Sequence, residues 1–189
     1  RPNIIHMKKI ITVIVFLCAA LIHIEAKDVI LGAEQTKQYL PLRKGKRVAL
    51  LSHHTGIVTR GKDTIHTLDL LLKHGVEVTA IFSPEHGFRG TAREGEHVAS
   101  SVDDKTGIPI LSLYDGKSNR PSKEAMATFD ILITDIQDVG LRFYTYYITM
   151  FRLMDACAHD GKQFIVFDRP NPNGWYVDGP ILDIKHKSG

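Results

Sequence analysis

Carboxylate and imidazole side chains follow apolar segments of this sequence at the points where those segments end. Glu85 and His86 are neighbours in the stretch SPEHGFRG, which comes directly after the apolar run VEVTAIF. Asp135 and Asp138 occur in the stretch TDIQDVGLRFYTY, which follows the run DILI. An ordinary turn requires Gly or Pro but needs neither a carboxylate nor an imidazole. Acidic groups placed so densely repel one another, and this costs stability unless they serve a ligand.

Three other apolar segments also end in polar stretches. The first is followed by SHHTG, the second by Tyr114 and Asp115, and the third by FDRPNPNG. Two of these stretches have a structural alternative. SHHTG could be an ordinary turn in which Ser and Thr bond the nearby backbone, and RPNPNG could be a rigid loop held by its prolines. Asp130 begins an apolar run instead of following one, and we interpret it as a structural acid.

Apolar runs alternate with helical patterns along the chain. The runs are continuous, which is typical of strands that are covered on both faces of a sheet. We predict strands at 47–52, 76–83, 108–114, 130–135 and 163–168, and helices at 64–75, 122–129 and 144–161. Ser122 is a suitable N-cap and Gly75 a suitable C-cap for two of these helices. The stretch 93–107 has too little apolar content for a core element, so we predict a long loop there.

This alternation predicts an α/β fold of the Rossmann-like type, with a mostly parallel sheet and helices on both faces. In a parallel sheet the five polar stretches lie along one edge, and open α/β folds bind their ligands outside the carboxyl ends of the strands. We therefore predict one shared polar crevice. Its contributors are Glu85, His86, Asp115, Asp135, Gln137, Asp138, Arg142, Asp168, Arg169 and Asn171.

Motifs for common cofactors do not occur in the sequence. No GxGxxG follows the first predicted strand and there is no Walker-type lysine loop, which argues against a nucleotide. There is no GxSxG elbow, which argues against an α/β-hydrolase. A metal held by His53, His54, His86 and nearby acids is an alternative, but no spacing such as HExxH supports it. We therefore predict that the protein uses no cofactor and no metal.

Residues 1–26 have the composition of a leader and secretory signal peptide. Two lysines follow Met7, an apolar core follows them, and Ala26 is the small residue at the expected cleavage site. The apolar core is short for a membrane span. We therefore expect an exported protein, periplasmic or extracellular, with no stable membrane insertion after cleavage.

The remaining segment, 27–189, is predicted to be a single Rossmann-like catalytic domain. Loss of the leader removes three basic residues and one acid, so the formal net charge falls from +3 to +1. This near-neutral balance provides no electrostatic footprint for nucleic acid. Cys157 is then the only cysteine, so no intrachain disulfide can form.

Four stretches taken together resemble one known family. They are LLSHHTG, IFSPEHGFRG, DILITDIQDVGLRFYTY and FDRPNPNG followed by DGP. In this order they are similar to the exo-β-N-acetylmuramidase (NamZ-type) family of peptidoglycan hydrolases, formerly a domain of unknown function. The resemblance covers essentially all of 27–189. It implies a Rossmann-like N-terminal domain followed by a second domain, with the active site in the cleft between them. The chain looks like the first domain, so we expect a fragment of a longer two-domain protein that lacks the C-terminal domain.

The activity implied by the resemblance is hydrolysis of a terminal β-linked N-acetylmuramic acid from peptidoglycan fragments, in cell-wall turnover or recycling. Glycoside hydrolysis needs one carboxylic acid to protonate the leaving oxygen and a second carboxylate on the anomeric side. Glu85 is the candidate acid, and Asp138 or Asp135 is the candidate second carboxylate. His86 and Gln137 would orient sugar hydroxyls or water. Retaining, inverting and acetamide-assisted routes all stay open.

The expected partner is therefore a peptidoglycan-derived saccharide. Arg142 or Arg169 could pair with the lactyl carboxylate of muramic acid, because a guanidinium binds a carboxylate through two parallel hydrogen bonds. The full set of expected substrate-binding residues is His54, Gln137, Arg142, Tyr144, Tyr146, Asp168, Arg169 and Asn171. Two alternatives remain at this point, namely a non-catalytic module that binds saccharide or cell wall, and a metal-dependent hydrolase of another substrate.

Overall fold

A six-stranded sheet forms the centre of the molecule. The computed structural model describes residues 7–9, 11–13, 29–84, 88, 101–111, 113 and 120–186. In chain order the strands are β1 (Val48–Ser52), β2 (Ile57–Arg60), β3 (Asp63–His66), β4 (Val78–Phe82), β5 (Ser101–Val102), β6 (Pro109–Leu111), β7 (Ile131–Asp135) and β8 (Gln163–Val166). The α-helices are α1 (Thr36–Tyr39), α2 (Thr67–Lys73), α3 (Lys123–Met126) and α4 (Tyr146–His159). Short 3-10 turns occupy Gly32–Glu34, Leu40–Arg43 and Ile184–His186.

The strand order identifies a doubly wound sheet. The order is β5-β6-β4-β1-β7-β8, in which β5 is antiparallel to its neighbour and the other five strands are parallel. When the five parallel strands are numbered by their order in the chain, their order across the sheet is 3-2-1-4-5. The chain therefore changes direction of winding between β1 and β7. Crevices for ligands form at such a point, outside the carboxyl ends of the two strands. The predicted Rossmann-like fold is confirmed.

Both faces of the sheet are covered, because neighbouring residues of a strand point to opposite sides. On one face Leu50 belongs to a buried cluster with Leu68 and Leu71 of α2. On the other face Leu51 belongs to a cluster with Leu153 and Ala156 of α4. All five residues of β1 are buried, as its continuous apolar sequence predicted. The helices on either face thus fix which strand residues can reach the crevice.

The predicted helix 64–75 is wrong in its first turn. Residues Asp63–His66 form β3, which pairs antiparallel with β2, and α2 begins only at Thr67. The β-branched residues Thr64 and Ile65 favour a strand. His66 then ends the strand and caps the helix, since its Nδ1 accepts a hydrogen bond from the backbone nitrogen of Leu68 at 3.1 Å.

The other predicted elements are present with shifted ends. The side chain of Ser122 accepts a hydrogen bond from Ala125 N at 3.1 Å and so caps α3, as predicted. Gly75 follows α2 with a positive φ of 66°, as expected for a residue just after a helix. In the predicted loop 93–107, the described part includes the short edge strand β5, while 93–100 lies outside the described residues.

Asp130 lies at the amino end of β7, opposite to the crevice. Its Oδ1 accepts a hydrogen bond from Arg47 Nη2 at 2.9 Å, and its Oδ2 accepts one from Arg47 N at 2.8 Å. These hydrogen bonds to Arg47 hold the pKa of the Asp130 carboxyl at about 2, below its usual value. The geometry agrees with the interpretation of Asp130 as a structural acid.

Among the helices that the structure describes, none has the length and apolar character needed to cross a bilayer.

Candidate active site

The carboxyl ends of β1 and β7 are tied together where the winding changes direction. Ser52 and Asp135 are partners in the parallel register of the two strands. Ser52 Oγ donates to the backbone oxygen of Asp135 at 2.8 Å, and Ser52 is fully buried. Beyond Ser52 the chain turns sharply, with Gly56 N donating to His53 O at 2.9 Å. This turn lies at the carboxyl end of β1, at the edge of the sheet where the crevice was predicted.

The two histidines of the turn have different surroundings. His53 is completely buried, and its Nδ1 lies 2.9 Å from Thr55 Oγ1. His54 is exposed, and its ring stacks on that of His53 with 4.8 Å between centroids. The ring of Tyr146 meets His53 edge-on at 4.6 Å. His54 and Tyr146, both expected to bind substrate, are therefore supported by His53, which the sequence analysis considered only as an alternative metal ligand.

Asp135 forms a buried ion pair with Arg169. Arg169 Nε lies 2.5 Å from Asp135 Oδ1, and Arg169 Nη2 donates to Oδ2 at 3.0 Å. Thr67 Oγ1, at the start of α2, also donates to Oδ2. The side chains of Asp135 and Arg169 are 1% and 7% exposed. Both carboxylate oxygens are thus occupied, and the pair joins the ends of β7, β8 and α2.

Arg169 is held in this position by a further contact. Its Nη2 also donates to the backbone oxygen of Ile57 at 2.9 Å, which connects it to the first residue of β2. Removing a charged pair from water has a desolvation cost, and the attraction between the charges repays it only when their remaining hydrogen-bonding groups are satisfied. Thr67 and Ile57 supply these additional bonds. The catalytic role expected for Asp135 and the substrate-binding role expected for Arg169 stay predictions.

Asp138 lies three residues beyond Asp135 in a contrasting environment. Its Oδ1 accepts a hydrogen bond from Gly140 N at 2.7 Å. Its Oδ2 is buried, and no described residue donates a hydrogen bond to it. Gly140 has a φ of +70°, and a Cβ at this position would collide with the side chain of Asn171. The loop that carries Asp138 is therefore packed closely against the loop after β8.

A small cavity lies between the ends of β7, β8 and α4. Its volume is about 70 Å³. It is lined by Thr134, Ile136, Asp138, Tyr146, Tyr147, Met150, Val166 and Phe167. Most of these side chains present carbon atoms, and Asp138 is the one carboxylic acid among them. The sequence analysis did not predict this cavity, because its walls come from three elements that are distant in the chain.

Gln137 connects the two loops around this site. Its Nε2 donates to the backbone oxygen of Asp138 at 2.7 Å and to that of Pro170 at 2.9 Å. Asn171, in the same loop as Pro170, accepts a hydrogen bond at Oδ1 from Asn173 N at 2.9 Å. The amide of Gln137 thus holds the exits of β7 and β8 together.

The remaining expected binding residues lie around the rim. Asp168 is exposed, and its backbone oxygen accepts a hydrogen bond from Gly32 N at 2.9 Å. Arg142 is exposed, and its Nη2 donates to Pro180 O at 2.9 Å. The ring of Tyr144 is perpendicular to that of Tyr146, with 5.4 Å between centroids. The structure thus brings the exits of β1, β7 and β8 together at one edge.

Glu85, His86 and Asp115 lie outside the described residues. The structure does describe the chain up to Pro84 on one side and Phe88 on the other. Ser83 is buried and follows β4, whose last residue, Phe82, pairs with Leu51 of β1. Phe88 is 3% exposed, and its ring lies 4.9 Å from that of His66. The chain therefore leaves β4 through Ser83 and Pro84 at the same edge as Ser52 and Asp135.

Comparison with known proteins identifies the family. The family model described as "Exo-beta-N-acetylmuramidase NamZ, N-terminal" matches residues 48–189. The chain belongs to this family. It is 46% identical over 147 residues to "Peptidoglycan beta-N-acetylmuramidase NamZ" of Bacillus subtilis (strain 168), an alignment that covers 77% of this chain and 34% of the relative. The resemblance found in the sequence is confirmed.

Two solved structures support the same assignment. Both are DUF1343 family proteins from Bacteroides fragilis NCTC 9343. One is 58% identical with a TM-score of 0.71, over 86% of this chain and 41% of the other. The second is 38% identical with a TM-score of 0.69, over 84% of this chain and 39% of the other. The chain thus spans about a third of the curated relative and about two fifths of each solved one.

Proposed function

We propose that the protein containing this chain is an exo-acting glycoside hydrolase that releases terminal β-linked N-acetylmuramic acid from peptidoglycan fragments. Membership of the NamZ family, with 46% identity to the Bacillus subtilis muramidase, carries this proposal. The polar edge of the sheet is where a doubly wound fold binds its ligand. A role in cell-wall turnover or recycling follows from such a product.

The proposed mechanism uses Glu85 and Asp138 as the two carboxylates. Glu85 protonates the leaving oxygen, and Asp138 acts on the anomeric side of the sugar. The environment of the two aspartates supports Asp138 over Asp135. Both oxygens of Asp135 are occupied by Arg169 and Thr67, whereas Asp138 Oδ2 receives no hydrogen bond from any described residue. Asp135 is then a positioning residue that holds Arg169.

Arg142 is the proposed contact for the lactyl carboxylate of the substrate. The guanidinium of Arg169 is directed into its buried pair with Asp135, while Arg142 is exposed at the rim. A guanidinium can bind a carboxylate through two parallel hydrogen bonds. Arg142→Gln should therefore raise KM for β-N-acetylmuramides while leaving any measurable cleavage of β-N-acetylglucosaminides, which lack the lactyl group, unchanged.

The decisive experiment uses the full-length protein and two substrates. One is an aryl β-N-acetylmuramide with an activated leaving group, and the other is a natural disaccharide that ends in N-acetylmuramic acid. We expect both to be cleaved, with or without a chelator. Glu85→Gln should lower turnover of the disaccharide by roughly a hundredfold, since a positioned acid typically contributes that much. The aryl substrate should lose much less, because its leaving group needs little protonation.

Glu77→Gln is the matched control for this experiment. Glu77 is an exposed glutamate just before β4, at the end opposite to the crevice. Its substitution should leave both rates unchanged. Binding of the sugar without cleavage would replace the hydrolase proposal with a saccharide-binding module. Loss of all activity with chelator would instead indicate a metal-dependent hydrolase.

We also propose that the protein is exported and cleaved after Ala26. The lysines after Met7 and the apolar run that follows them support this proposal. Mass spectrometry of the secreted protein should find Lys27 at its N-terminus. An intact N-terminus in the cytosolic fraction would contradict it.

A further inference from the structure

The guanidinium of Arg169 has one nitrogen that its ion pair does not use. Nε and Nη2 both donate to the carboxylate of Asp135, and Nη2 also donates to the backbone oxygen of Ile57. Nη1 makes no hydrogen bond to any residue that the structure describes. It reaches solvent, unlike Asp138 Oδ2, although the whole side chain of Arg169 is only 7% exposed. The N–H groups of Nη1 are therefore free to bind a ligand.

The other contacts of this guanidinium fix the position of Nη1. The side chain of Asp135 is 1% exposed and receives a further hydrogen bond from Thr67, so the carboxylate is itself held in place. Because a guanidinium is planar, the two nitrogens bound at Asp135 and Ile57 determine where the third one lies. A donor that is fixed before binding loses little conformational freedom when a ligand arrives.

The guanidinium lies at the edge of the sheet where a doubly wound fold binds its ligand. Asp135 is the last residue of β7, and Arg169 follows β8. Ile57 comes directly after the turn through which the chain leaves β1. Arg169 is therefore bonded to the exits of β1 and β7, between which the winding changes direction.

The charge of Asp135 limits the ligand groups that Nη1 can bind. Asp135 and Arg169 together carry no net charge, and a second carboxylate at Nη1 would be repelled by that of Asp135. An uncharged oxygen, from a hydroxyl or a carbonyl group, meets no such repulsion and gains a hydrogen bond from a charged donor. Arg142 differs, because it is exposed and forms no ion pair within the described part of the chain. Its charge stays available for a carboxylate.

We propose that Arg169 determines specificity by donating a hydrogen bond from Nη1 to one uncharged oxygen of the terminal sugar. The proposal rests on the proposed function, because it takes the ligand to be a glycoside of N-acetylmuramic acid. Asp135 then acts on the substrate only through Arg169, by fixing the guanidinium and balancing its charge. The two arginines recognise different parts of one sugar, since Arg142 binds the lactyl carboxylate.

The test measures equilibrium binding of five sugars to the full-length protein by calorimetry. The parent sugar is the methyl β-thioglycoside of N-acetylmuramic acid, whose sulfur resists the protonation that cleavage requires. Three analogues each lack one uncharged polar group, namely the 4-hydroxyl, the 6-hydroxyl or the acetamide. In the fifth sugar a carboxamide, which has no charge, replaces the lactyl carboxylate.

Arg169→Lys keeps the positive charge but has a single nitrogen, which stays with Asp135. It should bind the parent sugar roughly tenfold more weakly, as expected for loss of a hydrogen bond from a charged donor. One of the three uncharged analogues should bind to wild type and Arg169→Lys with equal affinity, because the oxygen that Nη1 contacts is already absent from it. The carboxamide sugar should lose affinity as the parent does. A general change of structure would not select one analogue in this way.

Arg47→Lys is the matched control. Arg47 forms the same type of ion pair, with Asp130, at the opposite ends of β1 and β7. The substitution should leave the affinities for all five sugars unchanged. If Arg169→Lys does not fold, Asp135→Asn combined with Arg169→Gln removes both charges, so that neither is left buried without its partner. This double variant should single out the same analogue.

The outcomes separate this proposal from the proposed function. Equal losses for all five sugars in Arg169→Lys, or no loss for any of them, would overturn the contact and leave the hydrolase in place if muramides are still cleaved by the wild type. If the carboxamide sugar is the one that loses no affinity, Arg169 binds the carboxylate and the proposal is wrong. The expected pattern without cleavage of any muramide would remove the hydrolase and keep the contact. Absence of binding for every sugar would overturn the contact as well.

Discussion

Asp135 and Asp138 are close neighbours at the end of one strand, yet their surroundings are opposite. The carboxylate of Asp135 is almost fully enclosed and receives hydrogen bonds on both oxygens from Arg169 and Thr67. That of Asp138 receives one bond, from Gly140, and has a buried oxygen without a donor among the described residues. The first aspartate thus connects strand ends through an ion pair, whereas the second has one carboxylate oxygen with no donor in the described part of the chain.

The difference arises from the direction in which each residue points. Asp135 contacts Thr67 at the start of α2, on one side of the sheet. Asp138 lines a cavity with Tyr146 and Met150 of α4, on the other side. Asp135 is the last residue of β7, whereas Asp138 belongs to the loop that follows, so the course of this loop sets the direction of its side chain. The same residue type is thus enclosed in an ion pair at one position and lines a cavity at the other.

The largest expected effect is on the stability of Asp135→Asn. The substitution leaves the guanidinium of Arg169 buried without its charged partner, which costs about 3–5 kcal/mol of unfolding free energy. Urea unfolding of the full chain, followed by circular dichroism, measures this loss. In a double mutant with Arg169→Gln, the loss should be smaller than the sum of the two single losses. Additive losses would mean that the pair is not coupled.

The second expected effect comes from Gly140→Ala. The residue has a positive φ, and the added methyl would collide with Asn171. We expect a loss of about 1–3 kcal/mol in unfolding free energy, because alanine would keep the strained positive φ, together with weaker sugar binding, because the side chain of Asn171, an expected substrate contact, must shift. Gly45 also has a positive φ but has no atom near its Cβ position. Gly45→Ala should therefore lose stability to a smaller extent and leave sugar binding unchanged.

Asp138→Asn should change stability much less than Asp135→Asn does. It removes a charge whose Oδ2 has no described partner and retains an acceptor for Gly140 N. We expect a change of less than about 1 kcal/mol in unfolding free energy, in either direction. A loss as large as that of Asp135→Asn would show that Asp138 also stabilises the fold. It would contradict the difference proposed between the two aspartates.

The smallest expected effect concerns Asp130, at the opposite end of β7. Its pKa is about 2, held down by the hydrogen bonds from Arg47. The folded carboxyl therefore loses its proton more readily than the unfolded one, so the pair stabilises the protein above pH 4 and this contribution disappears as pH falls through about 2. Asp130→Asn should be slightly less stable than wild type at pH 7 and equal to it near pH 2. An equal difference at both pH values would contradict the assignment.

Cys157 provides a check that these variants remain folded. Burial raises the pKa of its thiol to about 11, so very little thiolate is present near neutral pH. The native protein should react slowly with a thiol reagent at pH 8, and the protein in urea should react fast. A variant that reacts at the unfolded rate without urea has lost the packing of α4.

Much of the fold could be predicted because its signals are local. Continuous apolar runs indicated the five parallel strands, and polar stretches after them indicated the polar edge of the sheet. The hairpin of β2 and β3 was missed because Ile65 and Leu68 have helical spacing, although Ile65 is part of a strand. His53 was not placed in the site, since its sequence does not show which of two adjacent histidines is buried.

The sequence by itself determined the family, the parallel sheet and the edge at which the polar residues gather, since these depend on hydrophobic periodicity and on motifs that are short segments of chain. Only the tertiary structure decided which carboxylate forms an ion pair and which has an oxygen with no donor among the described residues. Arg169 lies 34 residues from Asp135, and Met150 and Val166 reach the cavity of Asp138 from a helix and another strand. A carboxylate's role depends on the charges and donors that surround it in space, and folding brings these groups together from distant parts of the chain.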